Sequence, residues 1–183
     1  VDDIQRPILA RSRSGAVTLD ASRGQVVQLA AYGKMDVDAC RPMRADTLLR
    51  LASMTKPLTA VSILMLMEEG KLILSDPVSK YIPEFKNQKV AVWNLPSDAH
   101  GGGVKLVAAD HEVTIKHLLT HTAGLADGAD DGPTAAFFEQ ANLPARISLA
   151  EYVKRLGATP VRFQPGTPWE YSPNGGLALL SRL

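Results

Sequence analysis

A chain of 183 residues suits one domain or a large part of a bigger one, and 45% apolar with 21% charged residues is an ordinary globular balance. A net charge of +1, 5% aromatic residues and no clustered basic segment exclude a nucleic-acid or anionic-membrane surface. The longest apolar run, Val61–Met67, is far short of the roughly 20 residues of a membrane span, and the single cysteine, Cys40, has no second thiol in the chain to pair with.

The sequence starts at Val1 with no signal-peptide pattern, which leaves cytoplasm and periplasm both open. Residues 16–20 (AVTLD) and 25–32 (QVVQLAAY) are β-like runs, and Ala21-Ser-Arg-Gly24 reads as the hairpin turn between them. Asp36–Asp46 is polar and turn-rich, and Cys40 within it reads as a small turn residue rather than a reactive thiol. Thr47–Leu51 is a short apolar approach to Ser53. From Met54 to Glu69 the pattern predicts a helix, with Pro57 tolerated in its first turn and Gly70 as its stop. Leu58, Val61, Leu64 and Met65 form one face, while Ile63, Leu66 and Met67 fill much of the rest. A helix apolar nearly all round is expected to be buried.

Residues 75–85 (SDPVSKYIPEF) read as a Pro-punctuated loop, and 86–112 as irregular. Gly101-Gly102-Gly103 lacks the Lys-Ser/Thr ending of a phosphate loop and reads as a surface turn. Thr114 caps a predicted helix over Ile115–His121, ended by Gly124. Residues 127–132 (DGADDG) form an acidic loop without EF-hand spacing. Residues 134–141 are helical in pattern. Ser148 and Glu151 form a capping box for a helix to about Leu156, with Leu149, Tyr152, Val153 and Leu156 as its apolar face. A stiff loop from Gln164 to Gly176 comes next, and Asn174 is a candidate cap for a last helix from Gly176. That helix is expected to be still running where the sequence stops at Leu183.

The stretch Arg50-Leu-Ala-Ser-Met-Thr-Lys-Pro-Leu-Thr-Ala places Ser53 three residues before Lys56, where a predicted buried helix begins. Ser-x-x-Lys by itself is a weak signal, and on the motif alone Ser53 reads more readily as a helix cap with Lys56 reaching to solvent. Its context offers chemistry. Residues three apart share a helix face, and a helix start supplies free N–H groups and a positive dipole end that help a nucleophile and an oxyanion. Burial would lower the lysine pKa and make it a base.

Three blocks extend this motif: "LLRLASMTKPLTAVSILMLMEEGKLILSDPVSKYIPEF", "TIKHLLTHTAGL" and "PGTPWEYSPNGGLALLSRL". In this order they resemble the serine β-lactamase-like and penicillin-binding-protein superfamily, most of all the family VIII carboxylesterases related to class C β-lactamases. The resemblance runs from about residue 15 to the end. It implies an α+β fold of the β-lactamase/DD-peptidase type, an antiparallel sheet flanked by helices plus a mostly helical region. It divides the chain into sheet strands over about 10–52, a nucleophile helix over 53–70 and a helical and loop region over 71–183. It implies Ser53 as nucleophile, Lys56 as its base partner and Tyr171 as the second proton-transfer group. Trp169 and Asn174 become candidate substrate-binding residues, Trp169 against the acyl group. The implied activity is hydrolysis of short-chain acyl esters through a Ser acyl-enzyme, with a small-molecule ester as partner and no cofactor. β-Lactam or D-alanyl-peptide hydrolysis and a non-catalytic binding protein on the same fold are the alternatives.

Two departures from the family pattern bear on these expectations. Class C relatives usually carry Asn two residues after this Tyr, where this chain has Pro173, with Asn174 one place late. No Lys-Thr-Gly or His-x-Gly motif follows Tyr171. We therefore expect the sequence to be the first half or so of a longer enzyme, poorly folded and close to inactive by itself. His117 and His121 stand four apart, but no Glu adjoins His117, so a zinc site is not expected. His100 and His111 read as loop residues.

Overall fold

The computed structural model describes residues 15–93, 103–127, 132–144 and 146–183. The chain divides into two compact units, Val1–Leu51 and Ala52–Leu183.

In the first unit, β1 (Ala16–Ser22) and β2 (Gln25–Tyr32) pair antiparallel, from Ala16 opposite Tyr32 to Ser22 opposite Gln25, with an irregularity between Asp20 and Ala21. The turn is two residues rather than the four expected. Arg23 and Gly24 have φ of 52° and 76°, and positive φ at both central positions closes a hairpin in two residues. Ala21 and Ser22 therefore join the ladder. The turn-rich segment holds a second short ladder, β3 (Lys34–Asp36) with β4 (Arg41–Pro42). The Asp36 carboxylate fixes its connection, accepting from Arg41 at 2.8 Å and from the Ala39 N–H at 2.9 Å.

The second unit opens with a 3-10 turn, Ala52–Met54, that runs into α1 (Thr55–Glu68). Gly70, at φ 69°, ends α1 as expected: its N–H reaches Met67 O and the Lys71 N–H reaches Leu66 O, both at 3.0 Å. That pair of bonds satisfies the last carbonyls of the helix. The burial of α1 differs from expectation. Ile63 is its one buried residue, while Leu58, Val61, Leu64 and Met65 are exposed. Apolar character all round sets a capacity for burial; only the Ile63 side of the helix meets the core of this unit.

The Pro-punctuated loop contains two 3-10 turns, Val78–Lys80 and Pro83–Phe85, and it supplies buried Val78, Ile82 and Phe85. Asp76 holds it, accepting from the Ile73 N–H (3.0 Å), Lys80 Nζ (2.9 Å) and the Tyr81 hydroxyl (2.6 Å). Segment 86–112 is not irregular throughout. β5 (Lys89–Trp93) and β6 (Val104–Ala108) pair antiparallel, Lys89 opposite Ala108 through Trp93 opposite Val104. Val90 also bridges Val161 in parallel. Each strand is only five residues and no tight-turn signature links them, so the pairing lacks a local signal. Gly101, Gly102 and His100 lie outside the described residues, as do residues 128–131 of the acidic loop.

Among the described residues, four short helices follow: α2 (Ile115–Leu119), α3 (Ala135–Ala141), α4 (Leu149–Gly157) and α5 (Gly175–Leu180). Thr114 caps α2 through a reciprocal bond pair, its hydroxyl accepting the His117 N–H while His117 Nδ1 accepts the Thr114 N–H. Half of the box expected at α4 forms. Ser148 Oγ accepts the Glu151 N–H, but the Glu151 carboxylate pairs with Arg155 at 2.7 Å. A charge partner one turn along outcompetes the backbone for that carboxylate. On the apolar face of α4, Val153 and Leu156 are buried and Leu149 is exposed. α5 ends at Leu180, short of the chain end, in a turn whose Arg182 N–H reaches Leu179 O. The core joins Ile63, Phe85, Val90, Val113, Ile115 and Leu118 to Val153, Leu156, Val161 and Leu179. It packs α2, α4 and α5 together and so fixes the loop that leads into α5.

Candidate active site

Three elements of the second unit converge on Ser53. The 3-10 turn before α1 carries it, with Ala52 held at φ 46°. A non-glycine residue at positive φ is uncommon, so the turn is specific to this place in the chain. Ser53 does not cap α1. The cap position is Met54, and no side chain closes it. Ser53 Oγ instead lies 2.8 Å from Tyr171 Oη and accepts from Lys56 Nζ at 3.2 Å. Lys56 sits one turn into α1, as the spacing requires, and also donates to the Pro173 carbonyl at 2.7 Å. Its ammonium stands 5.0 Å from the centre of the Tyr171 ring.

The hydrogen bonding of these atoms has a direction. A carbonyl only accepts, so Lys56 directs one N–H to Pro173 and another to Ser53 Oγ. The Ser53 proton is then free to point at Tyr171 Oη. The Tyr171 hydroxyl titrates below its usual 10.0, first because Lys56 and then Ser53 stabilise its anion.

Behind Tyr171 lies His121, ring centroids 4.9 Å apart. His121 has left α2 and stands at φ 55°. Its Nδ1 accepts the Ser172 N–H at 3.3 Å and its carbonyl accepts the Glu170 N–H at 2.9 Å, so it braces the Tyr171 loop on both sides. Burial and the Lys56 charge push its pKa below 6.5, which keeps it neutral at pH 7. A small cleft of about 180 Å³ beside Lys56 is lined by Pro57, Ala60, Leu118, Leu119, Leu177 and Leu180 together with His121.

Ser53, Lys56 and Tyr171 are thus together. Trp169 is exposed, its ring edge-on to His121 at 6.3 Å. Asn174 occupies the cap position of α5 but makes no side-chain cap bond; its amide donates to Asp127 Oδ1 at 3.1 Å. Capping falls to Ser172 Oγ, which accepts the Gly176 N–H at 3.0 Å, and to Asp127, which accepts the Gly175 N–H at 3.0 Å. The two histidines four apart have separate partners. His117 faces His111, ring centroids 5.4 Å apart, and His121 faces Tyr171. Among the described residues no group of three or more His, Cys, Asp or Glu is arranged to hold a metal ion.

Sequence reasoning missed three participants: the Pro173 carbonyl, His121 as a brace, and Asp127. A backbone acceptor has no residue signature, and Asp127 sits in an acidic stretch that reads as solvated loop. The "HTAGL" block near the motif was the one available pointer to His121.

The Beta-lactamase family model matches residues 1–183. The chain belongs to the Beta-lactamase family. It is 37% identical over 163 residues to Esterase EstB of Burkholderia gladioli, covering 86% of this chain and 37% of that protein. To Penicillin-binding protein 4* of Bacillus subtilis it is 29% identical over 163 residues, 89% of this chain and 30% of that protein. It superposes with a TM-score of 0.71 on EstCE1, a hydrolase with promiscuous acyltransferase activity, at 26% identity and over 98% of this chain and 44% of that one. The chain spans less than half the length of each of these relatives. The α+β fold expected from the sequence is the fold these relatives share.

Proposed function

We propose that Ser53 is the nucleophile of a serine carboxylesterase that cleaves short-chain acyl esters through an acyl-enzyme. The observation that carries this reading is the Ser53–Tyr171–Lys56 triangle, with Oγ 2.8 Å from Oη and 3.2 Å from Nζ. Ser53 Oγ bonds to the ester carbonyl carbon as its proton passes to the Tyr171 oxygen. Lys56 favours the tyrosinate that accepts it, and the Pro173 carbonyl holds Lys56 in place. The Ser53 N–H, at the start of the helix, donates to the oxyanion. Tyr171 then returns the proton to the leaving alkoxide, and water cleaves the acyl-enzyme by the reverse sequence. Trp169 is the residue we assign to the acyl group; its exposure and its position beside His121 support that reading. The likeness to Esterase EstB supports an ester as substrate.

The likeness to Penicillin-binding protein 4* favours a second reading, acylation by a β-lactam or a D-alanyl peptide. Pro173, with no side-chain amide to offer a lactam or peptide carbonyl, speaks for the ester. Intact-mass measurement after incubation with p-nitrophenyl butyrate or with nitrocefin separates them. The esterase reading expects a butyryl adduct that Ser53→Ala abolishes and no nitrocefin adduct. A nitrocefin adduct on Ser53 without a butyryl one would establish the second reading.

A further inference from the structure

We propose that Asp127 is a positioning residue for this site, the carboxylate that shapes the turn presenting Tyr171 and the Pro173 carbonyl to Ser53 and Lys56. The inference rests on the Ser53, Lys56 and Tyr171 assignment and extends it to a residue outside the three motif blocks. Four donors converge on the one carboxylate. Asp127 Oδ2 accepts from Ser172 Oγ (2.8 Å), the Asn174 N–H (2.8 Å) and the Gly175 N–H (3.0 Å), and Oδ1 accepts from Asn174 Nδ2. These donors bracket Pro173, the residue whose carbonyl receives Lys56, and begin immediately after Tyr171.

Geometry explains the need for the carboxylate. Pro173 has no N–H of its own and its ring fixes φ, so it cannot anchor its own peptide plane by donating. The turn into α5 also leaves N–H groups without helical partners. Asp127 accepts two of them, and Ser172, held by Asp127, accepts a third from Gly176. Without that anchor the Pro173 carbonyl is free to turn away from Lys56, and Lys56 is then no longer directed at Ser53 Oγ.

The charge acts on the same site. Tyr171 is faced by Lys56 from α1, by neutral His121, and by Asp127; the negative charge of Asp127 raises the Tyr171 pKa against the lowering by Lys56. Asp127 also adds to the raised pKa of Tyr152 on α4, behind burial.

The test is the second-order rate of Ser53 phosphonylation by a fluorophosphonate, followed by intact mass from pH 5 to 10, for the whole protein as wild type, Asp127→Ala and Asp127→Asn. Asp127→Ala removes the anchor, and its plateau rate is expected to fall by between tenfold and about 10²-fold, the cost of a misplacement near 1 Å. Asp127→Asn keeps an acceptor toward the turn, and Asn174 accommodates the change by rotating its amide. It is expected to recover most of that loss, with its basic limb moved to lower pH because a charge that raised the Tyr171 pKa is gone. If both variants keep the wild-type plateau and limb, the proposal is overturned. Equal losses in both with an unmoved limb would make Asp127 a fold residue only and overturn it as well. A whole, folded wild-type protein that takes no label would instead defeat the Ser53 assignment beneath it.

Discussion

Tyr171→Phe isolates one atom of the site. It deletes Oη, 2.8 Å from Ser53 Oγ, and leaves the ring that packs 4.9 Å from His121 and 5.0 Å from Lys56 Nζ. The loop is held elsewhere, by Ser172 and Glu170 on His121 and by the turn on Asp127, so the fold should survive. A positioned general base is worth about 10²–10⁴ in rate, and the phosphonylation rate of Ser53 should fall by that range. The pH profile adds a sign. In the proposed mechanism the reactive form is the tyrosinate, so the wild-type rate is expected to rise with pH through the Tyr171 pKa, which Lys56 and Ser53 hold below 10.0. His121 titrates below 6.5, so its limb lies on the acid side of that rise. Tyr171→Phe should lose the basic-side rise and keep a flat, low rate above pH 7. The assay is the observed labelling rate by intact mass at each pH, beside a thermal melt. A folded variant that labels within twofold of wild type and keeps the rise would refute Tyr171 as the proton acceptor.

Three further outcomes test the frame around the site. Phe85→Ala empties a position that is 1% exposed in the core and should cost about 3–5 kcal/mol, read as a lower urea midpoint. Gly124→Ala must hold φ near 72° and places its Cβ 3.0 Å from the Phe163 ring and carbonyl; the left-handed backbone alone should cost about 1–2 kcal/mol, visible as a lower melting temperature. Asp76 is held at a pKa of about 2 in the fold against 3.8 unfolded, chiefly by the Tyr81 hydroxyl, then the Ile73 N–H and Lys80. Its contribution is therefore complete above pH 3.8 and lost as pH falls toward 2. Asp76→Asn should be less stable than wild type near neutrality, with the gap closing between pH 4 and 2; a gap independent of pH would show that the ionised form is not what stabilises the loop.

The sequence made the punctuated elements legible. Gly70 as a stop and Thr114 and Ser148 as caps all act through local backbone chemistry. The β5–β6 pairing was hidden because each strand is short and its partner is set by contacts such as Val90 with Val161. The exposed face of α1 was misjudged because composition shows what a helix could bury and not what covers it. At the site, Ser53, Lys56 and Tyr171 carry side-chain chemistry that a motif can announce. The bond from Lys56 to the Pro173 carbonyl and the convergence on Asp127 exist only once residues 117 and 45–48 apart in sequence, respectively, are brought together.

Intact-mass labelling with a fluorophosphonate, on the whole protein and its Ser53→Ala variant in the same folded state, tests the central assignment most directly. One adduct on the whole protein and none on Ser53→Ala is the predicted result. A whole, folded protein that takes no label, or an adduct that persists without Ser53, would contradict it.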